Sequence, residues 1–339
     1  MTNVTVGLDI AKNVFHAVFV TSRGKITRKK QLKRATTLSF FAKLTPQVIA
    51  IEACGASNHL ARELIKLGHE VKLVPPQHVT SYRRKNKNDY NDAEAIAEAA
   101  QRDNMTFVPI KTIDQQDAQM YLRIRQRLIK QRTQLMNQIR GLLLEYGLCM
   151  NRGISALRRS VPEFLEDSGN ELTWVARELF NELYLEFLSL NDRIEQVESK
   201  LKAFAKENYV CQIAQSVVGI GPITALALYA AIGKGTQFKS GRHFSAWCGL
   251  VPRQFSTGGK SQLYGITKKG NVVLRALLIH GARSVLQYAD RKEDKVSVWA
   301  TKLKHEKSFN KACVALANKL ARIVWSVITH NKPYQLKEA

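Results

Sequence analysis

The sequence predicts an α/β domain at the N-terminus, a long helical segment in the middle and a mainly α-helical domain at the C-terminus. Strand-like and helix-like patterns alternate over the first hundred residues. Residues 115–146 and 171–209 then carry apolar residues at helical spacing, and neither stretch contains a proline. Beyond Cys211, glycines return between shorter helical patterns. These observations predict three domains, residues 1–112, 113–209 and 210–339, a number that suits a chain of 339 residues.

Three strands open the N-terminal domain, and a helix, a strand, a helix and a strand follow. Apolar runs predict the strands and amphipathic runs predict the helices. Thr36 or Thr37 is predicted to cap the first helix, and Gly68 is predicted to end the second. The predicted elements are residues 4–10, 14–21, 25–32, 36–44, 47–52, 59–67 and 70–74. This is the element order of the ribonuclease-H fold, so we expect an α/β ribonuclease-H-like N-terminal domain.

The middle of the chain is predicted to form two long helices, joined by residues 151–169. Apolar residues repeat along both helices at a spacing that predicts one buried stripe on each. An α-helical coiled-coil arm of two antiparallel helices fits this pattern, and a plain helical bundle fits it equally well. In either case we expect a spacer or an oligomerisation element.

The charge of the chain indicates a polyanionic partner. Lys and Arg number 52 and Asp and Glu 28, which gives a net charge of +24, and binding to phosphates relieves such an excess. Nucleic acid is favoured over a membrane surface, because no stretch approaches the roughly 18 apolar residues that span a bilayer. The first residues are not typical of a signal peptide. Five cysteines without metal-ligand spacing indicate free thiols in a reducing cytoplasm.

Two carboxylates stand at the ends of apolar strands in the predicted sheet. Asp9 follows Val-Gly-Leu in the first strand, and Glu52 closes the strand at 47–52. A charge flanked by apolar residues is unfavourable unless a partner neutralises it, and a metal ion is one such partner. If both strands are central in one sheet, the two carboxylates converge at one edge.

A second pair of carboxylates opens a predicted helix that runs through Ala99. Asp89 and Asp92 are three residues apart and therefore share one helix face. Four carboxylates at one point repel each other unless divalent cations neutralise them, and oxygen ligands favour Mg²⁺ or Mn²⁺, which assist phosphodiester cleavage. Simpler alternatives stay open, namely Asp89 as an N-cap and Asp92 as a favourable first-turn charge. Glu94 is the substitute ligand if the other face of the helix points inward.

A hydroxyl-bearing segment near the C-terminus is the second chemical candidate. Ser256 and Thr257 precede two glycines in a predicted flexible loop, between Arg253 and Lys260. Ser256 is a candidate nucleophile toward a phosphodiester, because the neighbouring cations would stabilise the pentacoordinate transition state. The alternative is a loop that grips phosphate, in which both hydroxyls only donate hydrogen bonds. Spacing alone favours the phosphate grip.

Further cations and glycines are candidates for contacts with a nucleic-acid backbone. Residues 82–87 form a dense basic run before the acidic helix, and the first long helix carries another run that partly fits an ordinary solvated surface. Residues 218–222 have the form of a helix-hairpin-helix turn, which brings backbone N–H groups to a phosphate; a tight turn between packed helices is the alternative. The candidates are Arg83, Arg84, Lys85, Lys87, Arg123, Arg127, Gly219, Gly221, Arg253, Thr257, Lys260, Lys268, Lys269 and Arg275.

Five sequence blocks, in this order, resemble the DEDD transposases of bacterial insertion sequences, a family that includes the bridge-RNA-guided recombinases. The blocks are VTVGLDIAKNVFHAVF, VIAIEACGAS, RRKNKNDYNDAEAIAEAA, VVGIGPITALAL and GLVPRQFSTGGKSQLYGITKKGNVVLRALL. The resemblance covers most of the chain. It implies a RuvC-like ribonuclease-H domain and a mainly α-helical C-terminal transposase domain, joined by a coiled-coil arm.

The resemblance also implies roles for single residues. By motif, the acidic tetrad of the family falls on Asp9, Glu52, Asp89 and Asp92. Its catalytic serine falls on Ser256. Some members have serine directly before the glycine, where this chain has Thr257, so Thr257 is the alternative nucleophile.

Function and partners follow from the same resemblance. It implies a metal-dependent transposase that acts on donor and target DNA under the direction of a structured guide RNA, in the bacterial cytoplasm at the nucleoid. It also implies a homodimer that assembles into a tetramer, in which the serine of one subunit complements the carboxylates of another. Two other functions stay open: a RuvC-like Holliday-junction nuclease that uses metal-activated water, and a non-catalytic nucleic-acid-binding protein.

Overall fold

Five strands of the N-terminal part of the chain pair into one mixed sheet. The computed structural model describes residues 4–82 and 88–335. The strands are β1 (Val4–Ile10), β2 (Val14–Thr21), β3 (Ile26–Lys33), β4 (Val48–Glu52) and β5 (Glu70–Val74). Their order across the sheet is β3-β2-β1-β4-β5. Strands β1, β2 and β3 form an antiparallel meander, and β4 and β5 continue the sheet parallel to β1.

Helices cover both faces of this sheet. They are α1 (Arg34–Phe41), α2 (Ser57–Lys66), α3 (Pro76–Tyr82) and α4 (Asp89–Ala100). Leu8, Phe15 and Ile51 lie in one core with residues of α1 and α2. Ala50 and Val18 belong to the opposite face, where they pack with residues of α3 and α4. Alternate residues of each strand therefore face different layers, as strand geometry requires.

Helix α4 lies unusually close to β1, and Gly7 is the reason. A Cβ added at Gly7 would lie 1.9 Å from the carbonyl oxygen of Ala93 and 2.7 Å from the backbone nitrogen of Ala97. Only a residue without a side chain allows this approach. Because Gly7 precedes Asp9 on the same face of β1, the contact fixes where the first turn of α4 lies relative to Asp9.

We expect Gly7→Ala to lower the free energy of unfolding by about 2–3 kcal/mol, because a methyl group must push α4 away from the sheet. Chemical denaturation of the purified protein measures this change. Gly55→Ala is the matched control, since a Cβ at Gly55 meets nothing within 4 Å. Equal stability of the two variants would contradict the close-packing argument.

Residues from 113 onward form helices and one β-hairpin. The helices are α5 (Ile113–Leu144), α6 (Ile154–Glu166), α7 (Trp174–Glu207), α8 (Tyr209–Gln215), α9 (Pro222–Ile232), α10 (Gly241–Trp247), α11 (Val272–Tyr288), α12 (Lys295–Glu306) and α13 (Phe309–His330). The hairpin consists of β6 (Pro252–Thr257) and β7 (Lys260–Ile266). The chain divides into two compact units, Met1–Thr112 and Ile113–Ala339.

The two long helices α5 and α7 run antiparallel and are joined by polar contacts as well as a shared apolar core. Arg125 pairs with Glu198 at 2.7 Å, and Arg132 donates to the side-chain oxygen of Asn191 at 2.9 Å. Residue numbers thus rise along one helix as they fall along the other. In addition, Leu128, Leu135 and Ile139 of α5 share a core with Phe180, Phe187 and Ile194 of α7.

Helix α13 is a central helix of the C-terminal core. Its length and apolar composition alone would allow it to cross a membrane. Its apolar residues, however, pack inside the unit, with Leu316, Leu320 and Val324 at most 1% exposed. Burial in a protein core accounts for this composition.

Several expectations about local structure are wrong. Helix α1 begins at Arg34 after Lys33, and the hydroxyl of Thr37 donates to the Lys33 carbonyl at 2.9 Å from inside the helix, so neither threonine is the N-cap. The predicted connection at 151–169 contains α6, because Leu157 and Val161 pack into the core of α5 and α7. Helix α3 was not predicted. The predicted flexible loop around residue 256 is the β6–β7 hairpin.

Candidate metal centre and nucleic-acid surfaces

Asp9, His16 and Asp89 lie close enough together to hold one metal ion. One possible ligand atom from each residue lies within 4.8 Å of the other two, and His16 Nδ1 is 3.5 Å from Asp89 Oδ2. The side chain of His16 is 12% exposed and that of Asp89 is 67% exposed. The cluster is therefore closed by the sheet on one side and open to solvent at α4.

Strand pairing places the first two of these side chains. Asp9 on β1 stands directly opposite His16 on β2, and residues opposite each other project from the same face of a sheet. Glu52 ends β4, two residues after Ala50, whose side chain faces α4. Asp9, His16 and Glu52 thus share the face of the sheet that α4 covers.

The start of α4 supplies the remaining carboxylates. Asn88 caps this helix, because its side-chain oxygen accepts a hydrogen bond from the backbone N–H of Tyr90 at 2.9 Å. The interpretation of Asp89 as the N-cap is therefore wrong, and its carboxylate faces His16. Asp92 lies in the same first turn.

The electrostatics at Asp9 connect all four predicted carboxylates. Burial, followed by the negative charges of Asp92, Asp89 and Glu52, raises the pKa of Asp9 from its ordinary value of 3.8 to about 6, while His16 lowers it. Glu94 is not among the groups with the largest effects on the pKa of Asp9. Negative charge at this point is unfavourable in the metal-free protein, so a divalent cation would relieve the repulsion.

The donor set fits a hard divalent cation. Carboxylate oxygens suit Mg²⁺ and Mn²⁺, and imidazole nitrogen is a common ligand of transition metals. His16 was missed from the sequence, because a histidine between Phe15 and Ala17 in an apolar strand has the pattern of a core residue. Its only signal is the strand pairing with Asp9. The ring of Tyr90 packs edge-on against the imidazole, with 4.7 Å between centroids.

Ser256 lies on an exposed β-hairpin in the other unit. Strands β6 and β7 turn at Gly258 and Gly259, whose φ angles of 56° and 78° are the left-handed pair that a two-residue hairpin turn requires. Ser256 stands opposite Ser261, and its Oγ accepts a hydrogen bond from the side-chain amide of Gln254 at 2.8 Å. All of β6 is exposed, so the hydroxyl is accessible to a large substrate.

Most of the predicted backbone-binding cations in this unit are exposed. They are Arg123 and Arg127 on α5, Arg253 and Lys260 on the hairpin with Thr257, and Lys268 and Lys269 after it. The neighbouring Arg125 and Arg132 instead bind α7, which separates the arginine run into a surface set and a packing set. The predicted contacts at Arg83, Arg84, Lys85 and Lys87 lie outside the described residues.

Arg275, also predicted to contact phosphate, is buried and makes hydrogen bonds within its own unit. It is only 8% exposed, and its Nη1 donates to the carbonyls of Cys248 and Lys269 at 3.1 and 2.9 Å. The guanidinium therefore holds two chain segments together. An arginine in the first turn of a helix after a basic run has the same sequence pattern whether it packs internally or contacts phosphate.

The glycines of the turn between α8 and α9 differ in environment. Gly219 has a φ of +85°, and a Cβ there would lie 2.8 Å from Val285 and 3.0 Å from the Gly281 carbonyl oxygen on α11. Close helix packing explains Gly219, as the tight-turn alternative proposed. Gly221 is exposed directly before Pro222, the first residue of α9, so a phosphate contact there stays a prediction.

Comparison with known families now gives the class of protein. A DEDD family profile described as a transposase matches residues 6–148, which include the whole sheet except its first two residues, the acidic cluster and α5. The profile of the transposase IS116/IS110/IS902 family matches residues 211–296, which include the Ser256 hairpin. The chain belongs to the IS116/IS110/IS902 family of transposases.

Relatives cover nearly the full length of the chain. The transposase for insertion sequence element IS1111A of Coxiella burnetii is 47% identical over 329 residues, 97% of this chain and 90% of the relative. The transposase for insertion sequence element IS1328 of Yersinia enterocolitica is 39% identical over 97% of this chain and 98% of the relative. A pilin gene-inverting protein of Moraxella lacunata is 25% identical over 98% of both chains.

Proposed function

We propose that this transposase cuts and rejoins DNA strands to excise and insert a bacterial insertion sequence, with a metal-binding acidic tetrad and a serine nucleophile. The tetrad consists of Asp9, Glu52, Asp89 and Asp92, and the nucleophile is Ser256. The observation that carries the proposal is the cluster of Asp9, His16 and Asp89, whose possible ligand atoms lie within 4.8 Å of one another. The charges of Asp92, Asp89 and Glu52, which all raise the pKa of Asp9, support it. Membership of a transposase family supports DNA as the substrate.

The N-terminal unit is, in this proposal, a ribonuclease-H-like domain of the RuvC type at residues 1–112. An antiparallel three-strand meander followed by two parallel strands supports it, as does the position of the carboxylates on β1, β4 and α4. Residues 113–209 are proposed to form a coiled-coil arm, supported by the antiparallel packing of α5 and α7. Residues 210–339 are proposed as the C-terminal transposase domain.

The residues of the centre have different tasks. A bound Mg²⁺ or Mn²⁺ would polarise the scissile phosphate and neutralise charge that develops there. Asp9 and Glu52 hold the inner side of the site because they stand on the sheet. Asp89, largely exposed, forms the side at which a phosphate enters, and His16 keeps the Asp89 carboxylate oriented at 3.5 Å.

Ser256 supplies the proposed covalent step. Its Oγ forms a bond to the phosphorus of one DNA strand while one phosphorus–oxygen bond to a deoxyribose breaks. The hydroxyl proton is released to water, and the departing oxygen takes up a proton to become a free hydroxyl. Reversal of this step with another strand end rejoins the DNA. Arg253 and Lys260, exposed on the same hairpin, are placed to hold the phosphate.

The partners proposed for the reaction come from the family resemblance. They are donor and target DNA, a structured guide RNA that selects both, and further copies of the chain in a dimer that assembles into a tetramer. The net charge of +24 supports a nucleic-acid partner of either kind. A cytoplasmic, nucleoid-associated location follows from such a substrate.

Reconstituted recombination tests this function. We expect purified protein, guide RNA, donor DNA and target DNA to give joined products with Mg²⁺ or Mn²⁺, and none in EDTA, because the carboxylates alone repel the phosphate. Sequencing of the junctions measures the reaction, and Ca²⁺ in place of Mg²⁺ controls for metal-dependent folding. Undiminished recombination in EDTA would sink the metal assignment, and products without guide RNA would sink the RNA requirement.

A further inference from the structure

A groove of about 1620 Å³ lies in the C-terminal unit, between β7 and α13. Strand β7, α10, α12 and α13 all contribute to its lining. Its volume exceeds the roughly 300–1,000 Å³ of a small-molecule pocket. The groove therefore suits a segment of a polymer better than a single small ligand.

The charged residues that line the groove are all positive. Arg242, Lys311, Lys319 and Arg322 line it, and none of its lining residues is acidic. Burial lowers the pKa of Lys319, and the neighbouring positive charge of Arg322 lowers it further. An anion between two cations that repel each other stabilises both. For a protein with a net charge of +24, a phosphate of nucleic acid is the expected anion.

Aromatic side chains stand among these cations. Trp299 and Trp325 both line the groove, and Lys319 Nζ lies 4.0 Å from the centre of the Trp299 ring. Trp325 is fixed in place, because its indole N–H donates to the Gly235 carbonyl at 3.0 Å. Aromatic rings beside cations are the combination that binds unpaired nucleotides, in which bases stack on rings and phosphates meet the cations.

We propose that this groove binds a short unpaired segment of nucleic acid, with a base stacked at Trp299 and the backbone held by Lys319 and Arg322. A regular duplex is disfavoured, because its bases are already stacked and cannot reach the rings. Leu263, Tyr264 and Ile266 of β7 line the same groove. A strand held there continues along the hairpin that carries Ser256.

The inference rests on the proposed function for the choice of nucleic acid, but it does not use the metal centre. The test measures fluorescence anisotropy of labelled dT12, rU12 and a 12-base-pair duplex with the full chain, without divalent metal. We expect Trp299→Ala to weaken single-strand binding about 10-fold, with Trp299→Phe close to wild type, because phenylalanine still stacks. Arg322→Ala is expected to reduce the slope of log affinity against log salt concentration by about one, the change that loss of one phosphate contact produces.

Controls separate this site from general charge and from the catalytic proposal. Arg291→Ala removes an exposed cation that lies over Tyr288 outside the groove, and it should cost no more than twofold for any probe. Because the binding test contains no divalent metal and scores no strand cleavage, its outcome is independent of whether the metal centre catalyses recombination. Circular dichroism verifies that each variant is folded.

The outcomes are distinct. Loss of single-strand binding in Trp299→Ala with duplex binding retained supports the groove, and the stronger of the dT12 and rU12 responses identifies DNA or RNA as the source. Unchanged single-strand binding in both Trp299→Ala and Arg322→Ala overturns the proposal. Equal losses for duplex and single strand also overturn it, because they indicate a general basic surface.

Discussion

Asp9→Asn is expected to abolish recombination and at the same time to stabilise the metal-free protein. Loss of a central ligand should cost about 10³-fold or more in rate, because several kcal/mol of transition-state stabilisation depends on the metal. The rise in the pKa of Asp9 to about 6 shows that its charge opposes folding. At ~1.4 kcal/mol per pKa unit the upper limit is ~3 kcal/mol, and solvent screening at this half-exposed group reduces it to ~1–2 kcal/mol.

The sign of the pH dependence follows from the same shift. The folded protein binds the Asp9 proton more tightly than the unfolded chain does, so the penalty is fully present above pH 6 and disappears as the pH falls toward 4. Urea unfolding in EDTA should therefore show the variant more stable than wild type at pH 7.5 and equal to it near pH 4. Added Mg²⁺ should stabilise wild type at pH 7.5 and leave the variant unchanged.

Glu94→Gln is the matched control for Asp9→Asn. Glu94 is a partly buried carboxylate on α4, the same helix as Asp89 and Asp92, but it is not among the groups with the largest effects on the pKa of Asp9. It should retain recombination and show no Mg²⁺-dependent difference from wild type. If Glu94→Gln and Asp9→Asn lose activity alike, the tetrad is assigned to the wrong face of the helix.

The strands that carry Asp9 and Glu52 were predictable, because a buried strand and an unfavourable charge at its end are both visible in a short stretch of sequence. An apolar run that ends in a carboxylate identifies both a buried strand and an unfavourable charge, and β1 and β4 occupy the predicted residues to within one position. Asp9 and Glu52 face the same layer for two reasons. Side chains alternate between the two faces along each strand, and β1 and β4 are neighbours in the sheet. From the sequence this neighbour relation was only a condition, and the parallel pairing of β1 with β4 meets it.

His16 and Arg275 show where such reasoning stops. Both depend on contacts between segments that no local pattern encodes. His16 belongs to the candidate centre only because the β1–β2 register sets it opposite Asp9, and a shift of one residue would turn it to the other face. Arg275 donates hydrogen bonds to the carbonyl of Cys248, which lies far away in the sequence, and to that of Lys269 in the preceding loop.

The hairpin of Ser256 was missed for a different reason. Strand β6 buries none of its residues, so no apolar alternation marks it as a strand. Its signal is the pair of glycines at the turn, which in this sequence equally fits a loop. An isolated two-stranded hairpin is only marginally stable in water, and binding to DNA would supply the contacts that the hairpin lacks within its own chain.

Ser256→Ala is expected to eliminate the covalent DNA–protein adduct and with it recombination, whereas Thr257→Ala should retain both. Neighbouring residues of a strand face opposite sides, so the hydroxyls of Ser256, opposite Ser261, and Thr257, opposite Lys260, cannot both meet one phosphate. Stability should not change, because both residues are exposed. Denaturing gels of the protein with labelled donor DNA, guide RNA and Mg²⁺ measure the adduct.

The pair of variants decides between three chemistries. An adduct that persists in Ser256→Ala and disappears in Thr257→Ala assigns the nucleophile to Thr257 and to the opposite face of the hairpin. If wild type cleaves DNA without an adduct and both variants stay active, the nucleophile is water at the metal centre and not the serine, as in a Holliday-junction nuclease. Only a loss confined to Ser256→Ala assigns the covalent bond to this serine, because a phosphate grip alone forms no covalent bond.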